Sequence, residues 1–118
     1  MNFSSLSHVF PESARVNDLG HLELGGIDVV SLANEFDTPL YVFCEETIRN
    51  RSKDFLNSFS SLYPNSRVAY AAKAYIGPAL ARLVQDLGLG MDVVSGGEMA
   101  VAKSVEFEAD RIFFHGNN

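Results

Sequence analysis

An α/β fold with parallel strands is what this 118-residue sequence predicts, on three observations. From residue 40 onward, short apolar runs alternate with amphipathic stretches of helical period. The strand-like runs are 40–43, 67–72, 91–94 and 111–114, and the helical stretches are 45–62, 78–87 and 95–105. Punctuation falls between them: Pro64-Asn65-Ser66 reads as a turn, Pro78 suits a first helical turn and Gly88 a C-terminal cap. Finally, Lys73, Ser95 and His115 each follow a strand, the end at which a barrel of this class gathers its functional groups. The alternation suits βαβ units with right-handed crossovers, either in an open doubly wound sheet or in an arc of a (β/α)8 barrel.

Residues 1–20 are weakly patterned, and Ser4, Ser5 and Ser7 suggest a frayed lead-in. His21-Leu22-Glu23-Leu24 alternates polar and apolar before Gly25-Gly26 and Ile27, the pattern of a short hairpin or of a strand and turn. His8 and His21, each alone in polar company, read as surface residues. Asp28 suits the N-cap of a helix in which Val29, Leu32, Ala33 and Phe36 form an apolar stripe. Asp37-Thr38-Pro39 ends it, because the residue before a proline is pushed out of helical geometry. Leu40-Tyr41-Val42-Phe43 is continuously apolar, as expected of a strand covered on both faces. In the helix at 45–62, Ile48, Phe55, Leu56, Phe59 and Leu62 share one side. In the next, Ala79, Leu80, Leu83, Val84 and Leu87 do so, and Ser95-Gly96-Gly97-Glu98 has the form of a capping box opening the third.

Composition narrows the function classes. A formal net charge of −6 without a Lys/Arg cluster argues against a nucleic-acid footprint and against anionic membrane surfaces. No apolar run approaches the roughly 20 residues of a membrane span, and the N-terminus lacks the basic-then-apolar layout of a secretion signal. A single cysteine, Cys44, offers neither an internal disulfide nor metal-ligand spacing, and packing is account enough for it. A cytoplasmic chain without a metal site is expected.

Lys73 is the residue with the most chemistry in it. It is one of three lysines, set in Val68-Ala69-Tyr70-Ala71-Ala72-Lys73-Ala74-Tyr75. If the strand runs to its end, Ala69, Ala71 and Lys73 share a face lined by small residues, with room for a ring. A desolvated amine beside free space suits covalent capture of a carbonyl cofactor, whereas a strand-end lysine reaching into solvent is the plainer account. Asp92 stands within an apolar strand and needs a partner, for which Lys73 is the nearest cation by topology. The pair is either structural or a device that holds the amine. Gly96 and Gly97 leave helix N–H groups open to an anion or a carbonyl oxygen, and Glu98 either completes the cap or joins the same mouth. Gly88-Leu89-Gly90-Met91-Asp92-Val93 fails as a dinucleotide fingerprint, because Val93 takes the third glycine position and the glycines precede a strand. His115-Gly116-Asn117-Asn118 is either a turn or a cofactor-facing rim.

These stretches resemble the diaminopimelate decarboxylases, pyridoxal-phosphate enzymes with the alanine-racemase type of barrel. Tyr70-Ala71-Ala72-Lys73-Ala74-Tyr75 is similar to that family's cofactor-lysine segment. Gly88-Leu89-Gly90-Met91-Asp92-Val93-Val94-Ser95-Gly96-Gly97-Glu98 is close to its most distinctive run. Phe114-His115-Gly116-Asn117-Asn118 resembles the start of another, and Leu24-Gly25-Gly26-Ile27-Asp28 and Thr38-Pro39-Leu40-Tyr41-Val42 fit the entry segment.

The resemblance implies a partial (β/α)8 TIM barrel over 36–118, about its first four units. Residues 1–35 would contribute strands to a β domain lying further along the chain. It implies pyridoxal 5′-phosphate as cofactor, Lys73 as the residue that carries it, and Ala71, Asp92 and Glu98 around it. The implied reaction decarboxylates meso-diaminopimelate to L-lysine, in a homodimer whose site is completed across the interface. Ornithine, arginine and carboxynorspermidine decarboxylases of the same fold are the alternatives, along with a short chain that binds the cofactor without turnover. The sequence departs from the family at Cys44, where an acidic residue is more frequent, and at Tyr75, which replaces a common asparagine. The family's ring-stacking histidine, glycine-rich phosphate loop, acidic partner of the pyridine nitrogen and partner-subunit cysteine come after residue 118. With a whole barrel taking about 250 residues, the chain is expected to be an N-terminal fragment, inactive alone.

Overall fold

Gly25 and Gly26, both at positive φ, form the two-residue turn of a small antiparallel meander in the computed structural model, which describes residues 7–116. The meander consists of β1 (Arg15–Val16), β2 (Leu22–Leu24) and β3 (Ile27–Asp28), with Val16 opposite Leu22 and Leu24 opposite Ile27. The hairpin expected at 21–27 is therefore present. The lead-in is more ordered than its pattern suggests, since Ser7–Val9 forms a 3-10 turn and β1 is a strand. Two residues are too few to display a period, and β1 exists because β2 offers it a ladder. Ser4 and Ser5 lie outside the described residues.

Helix α1 (Val29–Phe36) starts where its sequence signal lies. The Asp28 carboxylate accepts hydrogen bonds from the amides of Val30 and Ser31, and Asp37 at φ 64° ends the helix. Leu40-Tyr41-Val42-Phe43 corrects an expectation: these residues are exposed and form no strand. An apolar run becomes a strand only where a neighbouring strand supplies a ladder, and no strand among the described residues lies against this run. Helix α2 (Glu45–Leu62) has the expected bounds, but none of its residues is buried: of its apolar stripe Ile48 and Leu56 are half-buried, and Phe55, Phe59 and Leu62 are exposed. By density of contacts the chain divides into two units, between Arg51 and Ser52.

The second unit holds a parallel sheet in the order β4-β5-β6: β4 (Ala69–Ala71), β5 (Gly90–Val93) and β6 (Ile112–Phe114). Helices α3 (Pro78–Asp86) and α4 (Gly96–Ser104) connect the strands and pack on each other. The α/β class and the three later strands are thus as the alternation predicts. Proline occupies the first turn of α3. Its other end is a Schellman closure, in which the Gly88 amide donates to the Gln85 carbonyl (2.9 Å) and the Leu89 amide to that of Val84 (3.2 Å).

Side chains in register point to the same face of a sheet. One face carries Tyr70, Met91, Val93, Ile112 and Phe114, and the other Ala69, Ala71, Gly90, Asp92 and Phe113. The core sits on the first. Met91 and Val93 are fully buried, together with Val84 and Ala81 of α3 and Ala102 of α4, and Leu80 of α3 borders them with little exposure. Each large apolar side chain so covered contributes about 1.5–3 kcal/mol. The second face is only partly covered, and its bottom is pinched: a Cβ on Gly90 would lie 2.9 Å from both the Arg111 carbonyl oxygen and the Phe113 ring. No helix among the described residues is long and apolar enough to cross a membrane.

Candidate active site

Three strand ends converge at the top of the second unit. Strand β4 stops at Ala71, and Ala72–Ala74 turns into a 3-10 helix that carries Lys73. This corrects the strand alternation expected as far as Lys73. The ladder to β5 ends at the Ala71–Asp92 pair, and alanines have little preference for extended backbone once no partner holds them. Ala72 is buried beneath the turn, while Lys73 is exposed and makes no ion pair among the described residues. The amine is therefore accessible rather than desolvated. Tyr70 closes this loop from below, donating its hydroxyl to the Tyr75 carbonyl (2.7 Å), and desolvation pushes its phenol above the usual range. No local signal announces that clasp, because nothing in a spacing of five residues says that a chain will double back.

Asp92, the penultimate residue of β5, lies level with Ala71 and Phe113 on the half-open face. Its side chain is about one-third exposed (32%). The expected partner, Lys73, is not the one it finds: Nδ1 of His115 approaches Oδ2 at 3.7 Å. A strand-end lysine carried off on a 3-10 turn leaves the ladder, whereas His115 stays on it, its amide donating to the Val93 carbonyl (2.9 Å).

The turn from β5 into α4 is closed by two side chains. The Ser95 hydroxyl accepts from the Glu98 amide (3.3 Å), as a capping box requires. The Glu98 carboxylate accepts from the Val94 amide (2.6 Å), one residue earlier than the standard box. Both charges at this turn thus have defined tasks: Glu98 holds the backbone, and Asp92 faces the opening. Gly96 and Gly97 lie in the first turn of α4, where an added Cβ at Gly96 would meet nothing within 4 Å.

Other features lie apart from this mouth. A hollow of about 230 Å³ at the opposite ends of the strands is lined by Arg67, Gly90, Asp110, Arg111 and Phe113 among others, and not by Lys73. His21, expected at the surface, is half-buried and bonded to Asp28. Cys44 contacts the hydroxyls of Ser13 and Thr47, each at 3.3 Å, and these hold its thiol below the usual range, Ser13 most strongly. Among the described residues no three side chains cluster to hold a metal ion.

The chain is similar in sequence and fold to known proteins. The family model of the pyridoxal-dependent decarboxylases' pyridoxal-binding domain matches residues 45–118. The diaminopimelate decarboxylase of Halalkalibacterium halodurans is 48% identical over 109 residues, covering 92% of this chain and 25% of that protein. That of Bacillus subtilis is 47% identical over 106 residues, covering 90% and 24%. The crystal structure of diaminopimelate decarboxylase from M. jannaschii superposes with a TM-score of 0.77 at 36% identity, over 91% of this chain and 25% of that one. A second crystal structure of that enzyme, in complex with L-lysine, matches equally. The chain spans about a quarter of the length of the relatives it matches.

Proposed function

We propose that this chain, which belongs to the pyridoxal-dependent decarboxylase family through its pyridoxal-binding domain, is the cofactor-lysine part of a diaminopimelate decarboxylase. The whole protein would convert meso-diaminopimelate to L-lysine with pyridoxal 5′-phosphate, as a homodimer. The observation that carries this reading is the exposed Lys73 on the 3-10 turn directly after β4, whose last residue, Ala71, pairs with Asp92 on a half-open strip of the neighbouring strands.

These residues fit the cofactor. A pyridoxal ring needs an amine it can reach and a floor without bulk, and Lys73 and Ala71 supply both. Lys73 would hold the group through its aldehyde, and Asp92 would set a negative charge beside the attached nitrogen. Glu98 fixes the turn into α4, and the Gly96 and Gly97 amides of its first turn would offer donors to an anionic group of the cofactor. The ring, when bound, supplies the electron sink into which the bond to the departing carboxylate collapses. The parallel order β4-β5-β6 with α3 and α4 packed together supports an arc of a (β/α)8 barrel. We assign 36–118 to that arc and 1–35 to strands of a separate β domain.

The test uses the full-length protein. Borohydride reduction of the loaded enzyme followed by peptide mapping is expected to find the cofactor on Lys73, and Lys73→Ala is expected to abolish the bound cofactor's visible absorbance. Turnover should fall by several orders of magnitude, as for other lost covalent groups. A label on another lysine, or a higher kcat/KM for ornithine or arginine than for meso-diaminopimelate, overturns the assignment.

A further inference from the structure

His115 has no task in the reading above, yet the fold brings it to the site. It follows Phe113 by two residues, so strand alternation sets it on the face of Ala71 and Asp92, one step nearer the opening. Its amide continues the β5–β6 ladder past the last regular pair, which anchors the backbone beneath the imidazole. The titratable groups at this end of the three strands are Lys73, Asp92, Glu98 and His115, with the phenols of Tyr70 and Tyr75 at the Lys73 turn, where the Tyr70 hydroxyl donates to the Tyr75 carbonyl. Glu98 is committed to the Val94 amide, and Lys73 is exposed and unpaired among the described residues. The His115 imidazole is then the one titratable side chain within 4 Å of the Asp92 carboxylate among the described residues, with Nδ1 3.7 Å from Oδ2. With the imidazole 70% exposed, solvent screens such a pair, so orientation rather than stability is its larger consequence.

We propose that His115 is a positioning residue that steadies the Asp92 carboxylate at the mouth, so that its negative charge bears on the Lys73 nitrogen when that nitrogen carries the cofactor. The inference rests on the functional reading above.

A pH titration of the cofactor's visible absorbance in the loaded full-length protein tests it. Asp92→Asn is expected to lower the midpoint, because a nearby negative charge favours the protonated, cationic nitrogen. His115→Ala should lower it in the same direction, by roughly half a unit to one unit. It should do nothing further in an Asp92→Asn background, as coupled residues require. His115→Asn keeps an amide donor near the place of Nδ1 and is expected to restore the wild-type midpoint. An unmoved midpoint in His115→Ala, or an equal shift with and without the Asp92 carboxylate, overturns the proposal. If borohydride leaves Lys73 of the wild-type protein unlabelled, the functional reading fails, and this inference fails with it.

Discussion

Asp28 shows how much one carboxylate can organise. Oδ1 accepts from the Val30 amide (2.7 Å) and the Ser31 amide (3.3 Å), which starts α1. Oδ2 accepts from the Asn17 side chain (2.7 Å) and bonds His21 Nδ1 (2.9 Å), which ties the β1–β2 connection to the same point. The His21 hydrogen bond is the largest influence holding its carboxyl down, at about 2, with Asn17 and the two amides adding to it against some desolvation. The folded value lies below the unfolded one, near 3.9. The stabilisation is therefore complete above that value and is lost as pH falls through the folded one. Asp28→Asn is expected to lower the thermal midpoint at neutral pH, by a margin that narrows below about pH 4 and closes towards pH 2. A thermal melt series across that range checks it, and a margin independent of pH contradicts it.

Among the elements, α3 is the one whose two ends were written most plainly. Pro78 and Gly88 mark them in the sequence, and the structure uses both as expected. Gly88 has φ +76° with open space around it, so only backbone conformation opposes a side chain there. Gly88→Ala is expected to cost about 1–2 kcal/mol, the penalty for an L-residue in left-handed geometry. Denaturant unfolding reads it as a lower midpoint at unchanged slope. Strand β4 is the counterexample. Its alanines permit a strand but do not demand one, so its length was settled by the neighbouring ladder, which stops at Asp92. That early stop moves Lys73 onto a turn and hands the Asp92 carboxylate to His115.

At the scale of the whole molecule, the second unit rests on one covered sheet face. Met91 is fully buried in the central strand, between β4 and β6 and under the helices. Met91→Ala is expected to destabilise this unit by about 2–5 kcal/mol through lost transfer energy and the cavity left behind. Chemical denaturation checks that figure, and a loss below 1 kcal/mol would mean the core can collapse around the gap. The opposite face, with Ala71, Asp92 and Phe113, gains no such cover from the described residues, and that is why the candidate mouth stays accessible.

Local signals fixed what could be fixed locally: the helix at Glu45–Leu62, the Asp28 and Ser95 caps, the Gly25–Gly26 turn and the Schellman glycine. Each depends on residues within a few positions of one another, whose propensities and hydrogen bonds act whatever the rest of the chain does. The fate of 40–43, the short β4, the Tyr70–Tyr75 clasp and the partner of Asp92 depended instead on which segments lie beside one another in space. A strand needs a neighbour and a charge needs a counterpart, so those features were decided by tertiary structure alone.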